Sequence, residues 1–192
     1  MRLFLIRHPL PAVATGTCYG ATDLPLAEHP AELAAHLRTL LPDHLPLYSS
    51  PLQRCRLLAE QLHAQPRFDE RLREIDFGDW EMQPWDALDR TLLDAWAADP
   101  FHFVPPGGEG VAALRARVRA FLDERRQDAV LVAHAGVIKV CVAELTGETD
   151  WFGLRFDYGS VTLIENGAMR AICAVRSSAT HDRCRNPAAP SQ

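Results

Sequence analysis

The sequence predicts a single domain of the α/β class, and three observations carry that prediction. Residues 2–6 are mostly apolar with no room before them for a helix, as in a buried parallel strand. Residues 129–133 are continuously apolar and rich in β-branched side chains, which makes them the strongest strand signal in the chain. Segments of helical periodicity lie between these strands, and a length of 192 residues suits one domain with a sizeable core.

Composition argues against several broad classes of protein. An apolar fraction of 47% and a charged fraction of 23% are typical of a soluble globular domain. A net charge of −5 with no basic stripe argues against nucleic acid as the partner. No apolar run approaches the length of a membrane span, and the amino terminus lacks the layout of a signal peptide. We therefore expect a cytoplasmic protein that does not associate with membranes.

The cysteines and histidines indicate neither a disulfide framework nor a metal centre. The five cysteines are an odd number and widely spaced, and no Cys-x-x-Cys motif occurs, which favours a reducing compartment. The eight histidines are scattered without the spacing of zinc ligands. We expect no metal and no other cofactor.

Arg7 and His8 follow the first strand directly, so a guanidinium and an imidazole lie at the carboxyl end of a core strand. Open α/β sheets bind their ligands at that edge. Pro9 ends the strand and stiffens the turn that leaves it. The pair indicates an anion site that contains a nucleophile or a base. The alternative is an ordinary strand end with a solvated arginine and a packed histidine, and this segment alone does not decide between them.

The strand at 129–133 repeats this pattern, because it delivers His134 to its own carboxyl end. Gly136 lies near the start of the following helix, where free backbone N–H groups bind anions. Either histidine alone could be a core residue with satisfied hydrogen bonds. Two histidines on core strands, together with two arginines that can converge on them, make a site the better interpretation.

The second of these arginines, Arg54, lies where a helix is expected to begin. Residues 45–49 have the character of a short strand, Ser50 suits the N-cap and Pro51 the first helical position. Arg54 then falls in the first turn, where the helix macrodipole disfavours a cation. An anion beside the helix terminus would explain the arginine. A surface side chain that tolerates a small cost is the alternative.

The loop at 9–27 is long for a compact domain, and loops of this length are usually functional. Gly16 and Gly20 allow a close approach of the backbone to a ligand, although they could serve turns instead. We therefore treat Cys18, Tyr19 and Gly20 as candidate substrate contacts.

The segment at 72–81 concentrates four carboxylates, among them Glu74 and Glu81. Their irregular spacing matches no metal-binding template. One acid is therefore expected to act in catalysis, with the others solvated or capping.

The remaining elements follow from helical periodicity, capping residues and turn signals. Residues 176–192 are polar and small, and we expect an unstructured tail there. The expected elements are a helix from Pro30 to Pro42, an extended segment at 68–73, helices at 84–98, from Val111 and at 136–145, and a hairpin of 160–165 and 169–175 around Asn166-Gly167.

Five motifs rich in charged and small residues occur along the chain. They are Leu-Ile-Arg-His at 5–8, Ser-Ser-Pro-Leu-Gln-Arg at 49–54, Arg-Glu-Ile-Asp-Phe-Gly-Asp-Trp-Glu at 73–81, Pro-Gly-Gly-Glu at 106–109 and Val-Ala-His-Ala-Gly at 132–136. In this order they resemble the histidine phosphatase (phosphoglycerate mutase-like) superfamily, and within it the α-ribazole phosphatases of cobalamin biosynthesis. The resemblance covers residues 1–175 as one histidine phosphatase domain. It implies a three-layer α/β/α sandwich with a mixed, mostly parallel central sheet.

The resemblance also implies a metal-independent phosphomonoesterase with defined roles for the candidate residues. His8 would attack phosphorus and form a phosphohistidine, which water then cleaves. Arg7 and Arg54 would hold the phosphoryl oxygens. His134 and backbone N–H groups near Gly136 would stabilise the charge on those oxygens.

The general acid and the substrate are less closely defined. The resemblance favours Glu74 as the group that protonates the leaving alkoxide, with Glu81 as its rival. The expected substrate is a small phosphomonoester, α-ribazole 5′-phosphate or adenosylcobalamin 5′-phosphate. The alternatives are a broad-specificity sugar or nucleotide phosphatase, a phosphoglycerate mutase, and a phosphate-binding module without activity. The sequence leaves the oligomeric state, monomer or dimer, open.

Overall fold

A computed structural model describes residues 1–173 as one sheet of six strands with helices on both faces. Short 3₁₀ turns at Glu70–Leu72, Gly78–Trp80 and Trp85–Ala87 connect the larger elements. In chain order the larger elements are β1 (Arg2–Arg7), α1 (Ala31–Arg38), β2 (Leu47–Ser49), α2 (Gln53–Leu62), β3 (Arg67–Phe68), α3 (Arg90–Ala98), α4 (Val111–Asp123), β4 (Ala129–Ala133), α5 (Ala135–Thr146), β5 (Val161–Glu165) and β6 (Ala168–Cys173).

The strand order β3-β2-β4-β1-β5-β6 makes a mixed, mostly parallel sheet. β1 pairs in parallel with β4, β4 pairs in parallel with β2, and β2 pairs in parallel with β3. β5 joins the other side of β1 in the antiparallel sense, and β6 completes the hairpin. The expected α/β/α architecture is confirmed.

Alternating side chains of the central strands supply two cores, because successive residues of a strand point to opposite faces. Leu3 and Leu5 of β1 pack with α4 and α5, whereas Phe4 and Ile6 pack with α1 and α2. The side chains of β4 divide between the faces in the same way. Both faces of these strands are therefore buried, which explains why they are continuously apolar in sequence.

The parallel pairing of β1 with β4 fixes the place of the site. Arg7 lies opposite Ala133 in the register, and the His8 N–H donates to the Ala133 carbonyl oxygen over 3.0 Å. His8 and His134 therefore leave neighbouring strands at the same edge of the sheet. β2 ends at this edge too, and it leads into α2, whose first turn contains Arg54.

The start of α2 differs from the sequence expectation. The helix begins at Gln53 with Leu52 as its N-cap, because Leu52 keeps an extended backbone with ψ of 135°. Ser50 is therefore not the N-cap, and that prediction is wrong. Its buried hydroxyl lies instead 2.8 Å from Nε2 of His134, a tertiary contact that local sequence does not reveal.

The prediction of a single helix at 84–98 is also wrong, because residues between a 3₁₀ turn and α3 interrupt the segment. Trp85–Ala87 form a 3₁₀ turn, and α3 begins only at Arg90. The Asp89 carboxylate accepts hydrogen bonds from two N–H groups of the first turn of α3. Asp89 is thus an N-cap that starts a new helix within the expected one.

The other elements lie close to their expected positions. α1, β2, α4, β4 and α5 are present. Gly147 ends α5 at φ 79°, and Asn166 and Gly167 form the hairpin turn with positive φ at both positions. The extended segment at 68–73 shortens to the last residue of β3 followed by a 3₁₀ turn. The end of the hairpin and the tail at 176–192 lie outside the described residues.

Three findings bear on the expectations from composition. The thiols of Cys18, Cys55 and Cys141 are free and buried. Within residues 1–173, no helix combines the length and the apolar character needed to cross a membrane. In that same part of the chain, no group of three or more His, Cys, Asp or Glu side chains is arranged to hold a metal ion.

Gly78 lets the segment that contains both candidate acids pack closely against the loop before α4. Its φ is +56°, and a Cβ at this position would overlap the carbonyl oxygen of Pro106 and the backbone nitrogen of Gly108. The Asp79 N–H donates to the same Pro106 oxygen over 2.8 Å. Glycine is required here by both the conformation and the contact.

We expect Gly78→Ala to lower the free energy of unfolding by about 2–4 kcal/mol, because left-handed strain and overpacking add. Gly147→Ala is the matched control: its φ is +79°, but no atom lies within 4 Å of the added Cβ. That variant should cost only about 1 kcal/mol. Urea unfolding gives both values, and equal losses would contradict the close approach at Gly78.

Candidate active site

Two histidines and two arginines from distant parts of the chain converge at the carboxyl edge of the sheet. The rings of His8 and His134 lie with their centroids 5.1 Å apart and an interplanar angle of 60°. His8 is 2% exposed, and His134 and Arg54 are completely buried. Arg7 and Arg54 are both close enough to His8 to disfavour a positive charge on its ring. The structure thus brings together the four side chains that the sequence analysis selected.

The hydrogen bond of His8 determines which ring nitrogen has a lone pair. Nδ1 lies 2.7 Å from the carbonyl oxygen of Pro9. A carbonyl oxygen only accepts hydrogen bonds, so the network assigns the proton to Nδ1. Nε2 is then unprotonated in the neutral ring and is the nitrogen that can act as a nucleophile.

Burial and nearby positive charge keep both imidazoles neutral. Burial lowers the pKa of His8 well below its ordinary value, and the guanidiniums of Arg54 and Arg7 lower it further. Burial likewise lowers the pKa of His134, with smaller contributions from Arg54 and His8. A neutral imidazole is the form that can attack an electrophile, so these shifts favour nucleophilic chemistry at neutral pH.

Arg54 is held by neutral backbone acceptors. Its Nη1 donates to the carbonyl oxygen of Thr22 over 2.7 Å, and its Nη2 donates to that of Gly20. Its Nε is buried and has no acceptor among the described residues. A buried cation held by neutral acceptors is costly, and a bound anion would offset its charge.

Arg7 is held in the same manner. Its Nη1 donates to the carbonyl oxygen of Phe156 over 2.6 Å, and its buried Nε has no acceptor in the described part of the chain. Between residues 1 and 173, no carboxylate forms an ion pair with Arg7 or Arg54. The positive charge of both guanidiniums therefore remains available for a phosphate group.

Glu74 reaches the site through the first turn of α5. Its Oε2 accepts a hydrogen bond from the Gly136 N–H and its Oε1 accepts one from the Ile75 N–H, each over 3.0 Å. A Cβ at Gly136 would overlap Oε1 of Glu74, so the absence of a side chain there makes room for the carboxylate. The Gly136 N–H, expected to face a phosphate, has Glu74 as its partner in this structure. The helix terminus does bind an anion, and that anion is a carboxylate of the protein.

Arg117 of α4 fixes the backbone of the segment that ends in Glu74. Its Nη1 donates to the carbonyl oxygens of Arg71 and Arg73 over 2.7 and 2.6 Å, and its Nη2 donates to that of Glu74 over 3.1 Å. The Glu109 carboxylate pairs with the same guanidinium at 2.7 Å. Sequence reasoning missed Arg117, because nothing in local sequence distinguishes it from the other arginines of α4.

Glu81 has a different environment. Its carboxylate accepts hydrogen bonds from the N–H groups of Ala21, Thr22 and Phe77 and from the Thr22 hydroxyl. Burial alone would raise its pKa, but these hydrogen bonds outweigh burial and lower the pKa below its ordinary value. Glu81 therefore stays ionised and anchors the loop that carries Thr22.

Cys18 and Gly20, two of the three loop residues selected as substrate contacts, are both buried. Cys18 is completely buried and packs with Trp80 and Leu88, so it does not reach a ligand. Gly20 is buried, and a Cβ there would overlap the carbonyl oxygen of Ile75. The prediction of Cys18 as a direct contact is corrected, because its side chain is buried among apolar neighbours. The Gly20 carbonyl oxygen accepts a hydrogen bond from Nη2 of Arg54, so its backbone lies beside the site and its role as a substrate contact stays a prediction.

Tyr19, the third loop residue, lies beside the site together with Tyr158, which sequence reasoning missed. The two hydroxyl oxygens are 2.6 Å apart. The Tyr158 ring lies 5.5 Å from the His8 ring, and the Arg7 guanidinium carbon lies 3.8 Å from its centroid. Tyr158 lies in the loop before β5, and its position three residues before that strand, at the ligand-binding edge, was the available signal.

Comparison with known proteins agrees with this geometry. The sequence profile of the histidine phosphatase superfamily (branch 1) matches residues 3–175. An adenosylcobalamin/alpha-ribazole phosphatase of Escherichia coli (strain K12) is 32% identical over 185 residues, which cover 86% of this chain and 90% of the relative.

Two solved structures are similar along most of the chain. The alpha-ribazole phosphatase from Shigella flexneri has a TM-score of 0.76 and 29% identity, over 89% of this chain and 94% of that one. A phosphoglycerate mutase from Thermus thermophilus has a TM-score of 0.74 and 36% identity, over 90% and 97% of the two chains. The profile match and these similarities show that the chain belongs to the histidine phosphatase superfamily, branch 1.

Proposed function

We propose that the protein is a phosphomonoesterase that works through a phosphohistidine on His8 and acts in cobalamin biosynthesis. The observation that carries the proposal is the convergence, at one edge of the sheet, of two neutral imidazoles and two guanidiniums that have no carboxylate partner among the described residues. Phosphoryl transfer needs mainly positioning and neutralisation of charge, and these four side chains supply both.

In the first half of the reaction, the Nε2 lone pair of His8 attacks phosphorus. An N–P bond forms while the P–O bond to the leaving group breaks, and the leaving alkoxide takes a proton from Glu74. Arg7 and Arg54 hold the equatorial oxygens with their guanidiniums, whose planar shape matches a phosphoryl group. The Pro9 carbonyl oxygen accepts from Nδ1 throughout, which stabilises the positive charge that develops on the ring.

In the second half, water cleaves the phosphohistidine. Glu74, now ionised, removes a proton from the attacking water as the new P–O bond forms and the N–P bond breaks. The electron pair returns to Nε2, and inorganic phosphate leaves. No metal takes part in these steps, so metal independence is part of the proposal.

Glu74 suits the role of general acid better than Glu81. The carboxylate of Glu81 accepts four hydrogen bonds, and its lowered pKa makes it a poor proton donor. Glu74 accepts two, and one of them comes from the helix that follows His134. This contact with the first turn of α5 supports Glu74 as the general acid.

The proposed substrates are α-ribazole 5′-phosphate and adenosylcobalamin 5′-phosphate. The support is the name of the Escherichia coli relative and that of the Shigella flexneri structure. Phosphoglycerate mutase activity is the second candidate, because the Thermus thermophilus structure of that title has the higher identity, 36% against 29%. A mutase needs the same nucleophile but must protect the phosphohistidine from water.

A phosphatase screen of the purified protein tests the proposal. The panel contains α-ribazole 5′-phosphate, a sugar phosphate, a nucleoside monophosphate and 3-phosphoglycerate, with inorganic phosphate as the readout. We expect α-ribazole 5′-phosphate to give the highest kcat/KM, and His8→Ala to abolish release. His102→Ala is the control, because that side chain is 84% exposed. Interconversion of phosphoglycerates without steady phosphate release would identify a mutase, and phosphate binding without any turnover would identify a binding module.

Replacement of the general acid should change the dependence of rate on the leaving group. We expect Glu74→Gln to slow hydrolysis of an alkyl phosphate roughly 10²–10⁴-fold, since an alkoxide needs a proton to depart. Hydrolysis of p-nitrophenyl phosphate should slow much less, because p-nitrophenolate leaves without one. Glu81→Gln is the matched control and should lower the melting temperature without changing this ratio. If Glu81→Gln changes the ratio instead, the acid is misassigned.

The two site imidazoles should stay neutral in mildly acidic solution. Their folded-state pKa values lie below the unfolded value of about 6.5, so each ring takes up a proton only at lower pH. A histidine-selective NMR titration of the phosphate-free protein measures this, with His8→Gln and His134→Gln for assignment. A midpoint at or above about 6.5 for either ring would show that burial does not control its charge.

A further inference from the structure

We infer that Tyr19 and Tyr158 form a bracket that sets the spacing of the two phosphate-binding guanidiniums. The inference rests on the proposed function only in taking Arg7 and Arg54 as the groups that hold phosphate. Tyr19 lies in the loop between β1 and α1, and Tyr158 lies in the loop between α5 and β5. Their hydroxyl oxygens are 2.6 Å apart, so one hydrogen bond joins two loops that are 139 residues apart in sequence.

Each tyrosine ring faces one of the two arginines. The guanidinium carbon of Arg7 lies 3.8 Å from the centroid of the Tyr158 ring, and that of Arg54 lies 5.6 Å from the centroid of the Tyr19 ring. Both separations are within the range of a cation–π interaction, and the first is the shorter and stronger one. The two tyrosines therefore link the two arginines. Arg7 lies against Tyr158, Tyr158 is hydrogen-bonded to Tyr19, and Tyr19 faces Arg54.

The bracket offsets the repulsion between the two guanidiniums when no phosphate is bound. Two guanidiniums that converge on one point repel each other, and burial strengthens the repulsion. A carboxylate between Arg7 and Arg54 would remove it but would also compete with phosphate for the same donors. Aromatic faces lower the energy of the cations without adding a negative charge that would compete with phosphate.

The Tyr19 hydroxyl is neutral, as this arrangement requires. Burial raises the pKa of Tyr19, and the neighbouring Tyr158 raises it further. One hydroxyl therefore donates a hydrogen bond to the other, and this bond fixes how far apart the two rings, and with them the two guanidiniums, can lie. The bracket also contacts the proposed nucleophile, because the centroid of the His8 ring lies 5.5 Å from that of the Tyr158 ring.

The bracket makes a specific prediction for three tyrosine variants. Tyr19→Phe and Tyr158→Phe each remove the same hydrogen bond and keep the ring, so each should weaken binding of inorganic phosphate about 5-fold, the value of one net hydrogen bond. The double variant should bind no more weakly than the weaker single variant, because the bond is already lost. KM for p-nitrophenyl phosphate should rise in parallel, with kcat less affected.

Titration calorimetry with inorganic phosphate measures binding even if the protein turns over no ester, so a failure of the bracket and a failure of the proposed activity give different results. Tyr48→Phe is the matched control and should leave phosphate affinity unchanged: it removes the third tyrosine hydroxyl, which accepts a hydrogen bond from Arg67 of β3. Tyr158→Leu removes the ring and should lose more phosphate affinity than Tyr158→Phe.

Two outcomes would overturn the inference. Additive losses in the double variant would mean that each hydroxyl contacts phosphate separately. Unchanged phosphate affinity in both single variants, with only a lower melting temperature, would mean that the pair serves stability alone.

Discussion

Burial of positive charge at one edge of the sheet is the constraint on which the rest of the structure depends. Arg54 is completely buried, Arg7 has a buried Nε, and the two lie beside two buried imidazoles. An arrangement of this kind is unfavourable unless the imidazoles stay neutral and an anion binds. The parallel pairing of β1 with β4 enforces it, because this register places His8 and His134 on adjacent strand ends.

The protein supports these cations without neutralising them. Arg54 donates to backbone carbonyl oxygens at residues 20 and 22, while Glu81 accepts from backbone N–H groups at residues 21 and 22. The Arg54 cation thus binds carbonyl oxygens of this loop and the Glu81 anion binds its N–H groups, so the two side chains do not pair with each other. Arg117 acts similarly on the segment that ends in Glu74, where its positive charge is matched by Glu109. All three guanidiniums therefore bind backbone carbonyl oxygens, but among the described residues only that of Arg117 also has a carboxylate partner.

Sequence alone predicted most of the fold and the chemical centre of the site, for physical reasons. Strands buried on both faces are continuously apolar, so β1 and β4 could be recognised and the residues after them identified. Contacts between distant segments could not be predicted in this way. The role of Ser50 beside His134 competes with a plausible helix cap, and Asp89 restarts a helix that periodicity alone would continue. Only its position before β5 pointed to Tyr158, because the hydroxyl that it pairs with belongs to a residue 139 positions away.

The most direct test of the central claim is a crystal structure of the protein with orthovanadate, which adopts the geometry of a phosphoryl group in transfer. We expect vanadium bonded to Nε2 of His8, with Nδ1 still donating to the Pro9 carbonyl oxygen. The guanidiniums of Arg7 and Arg54 should both contact the equatorial oxygens. Vanadate bound through Nδ1, or bound at a place where only one of the two arginines reaches it, would contradict the claim that this pocket is built for phosphoryl transfer to His8.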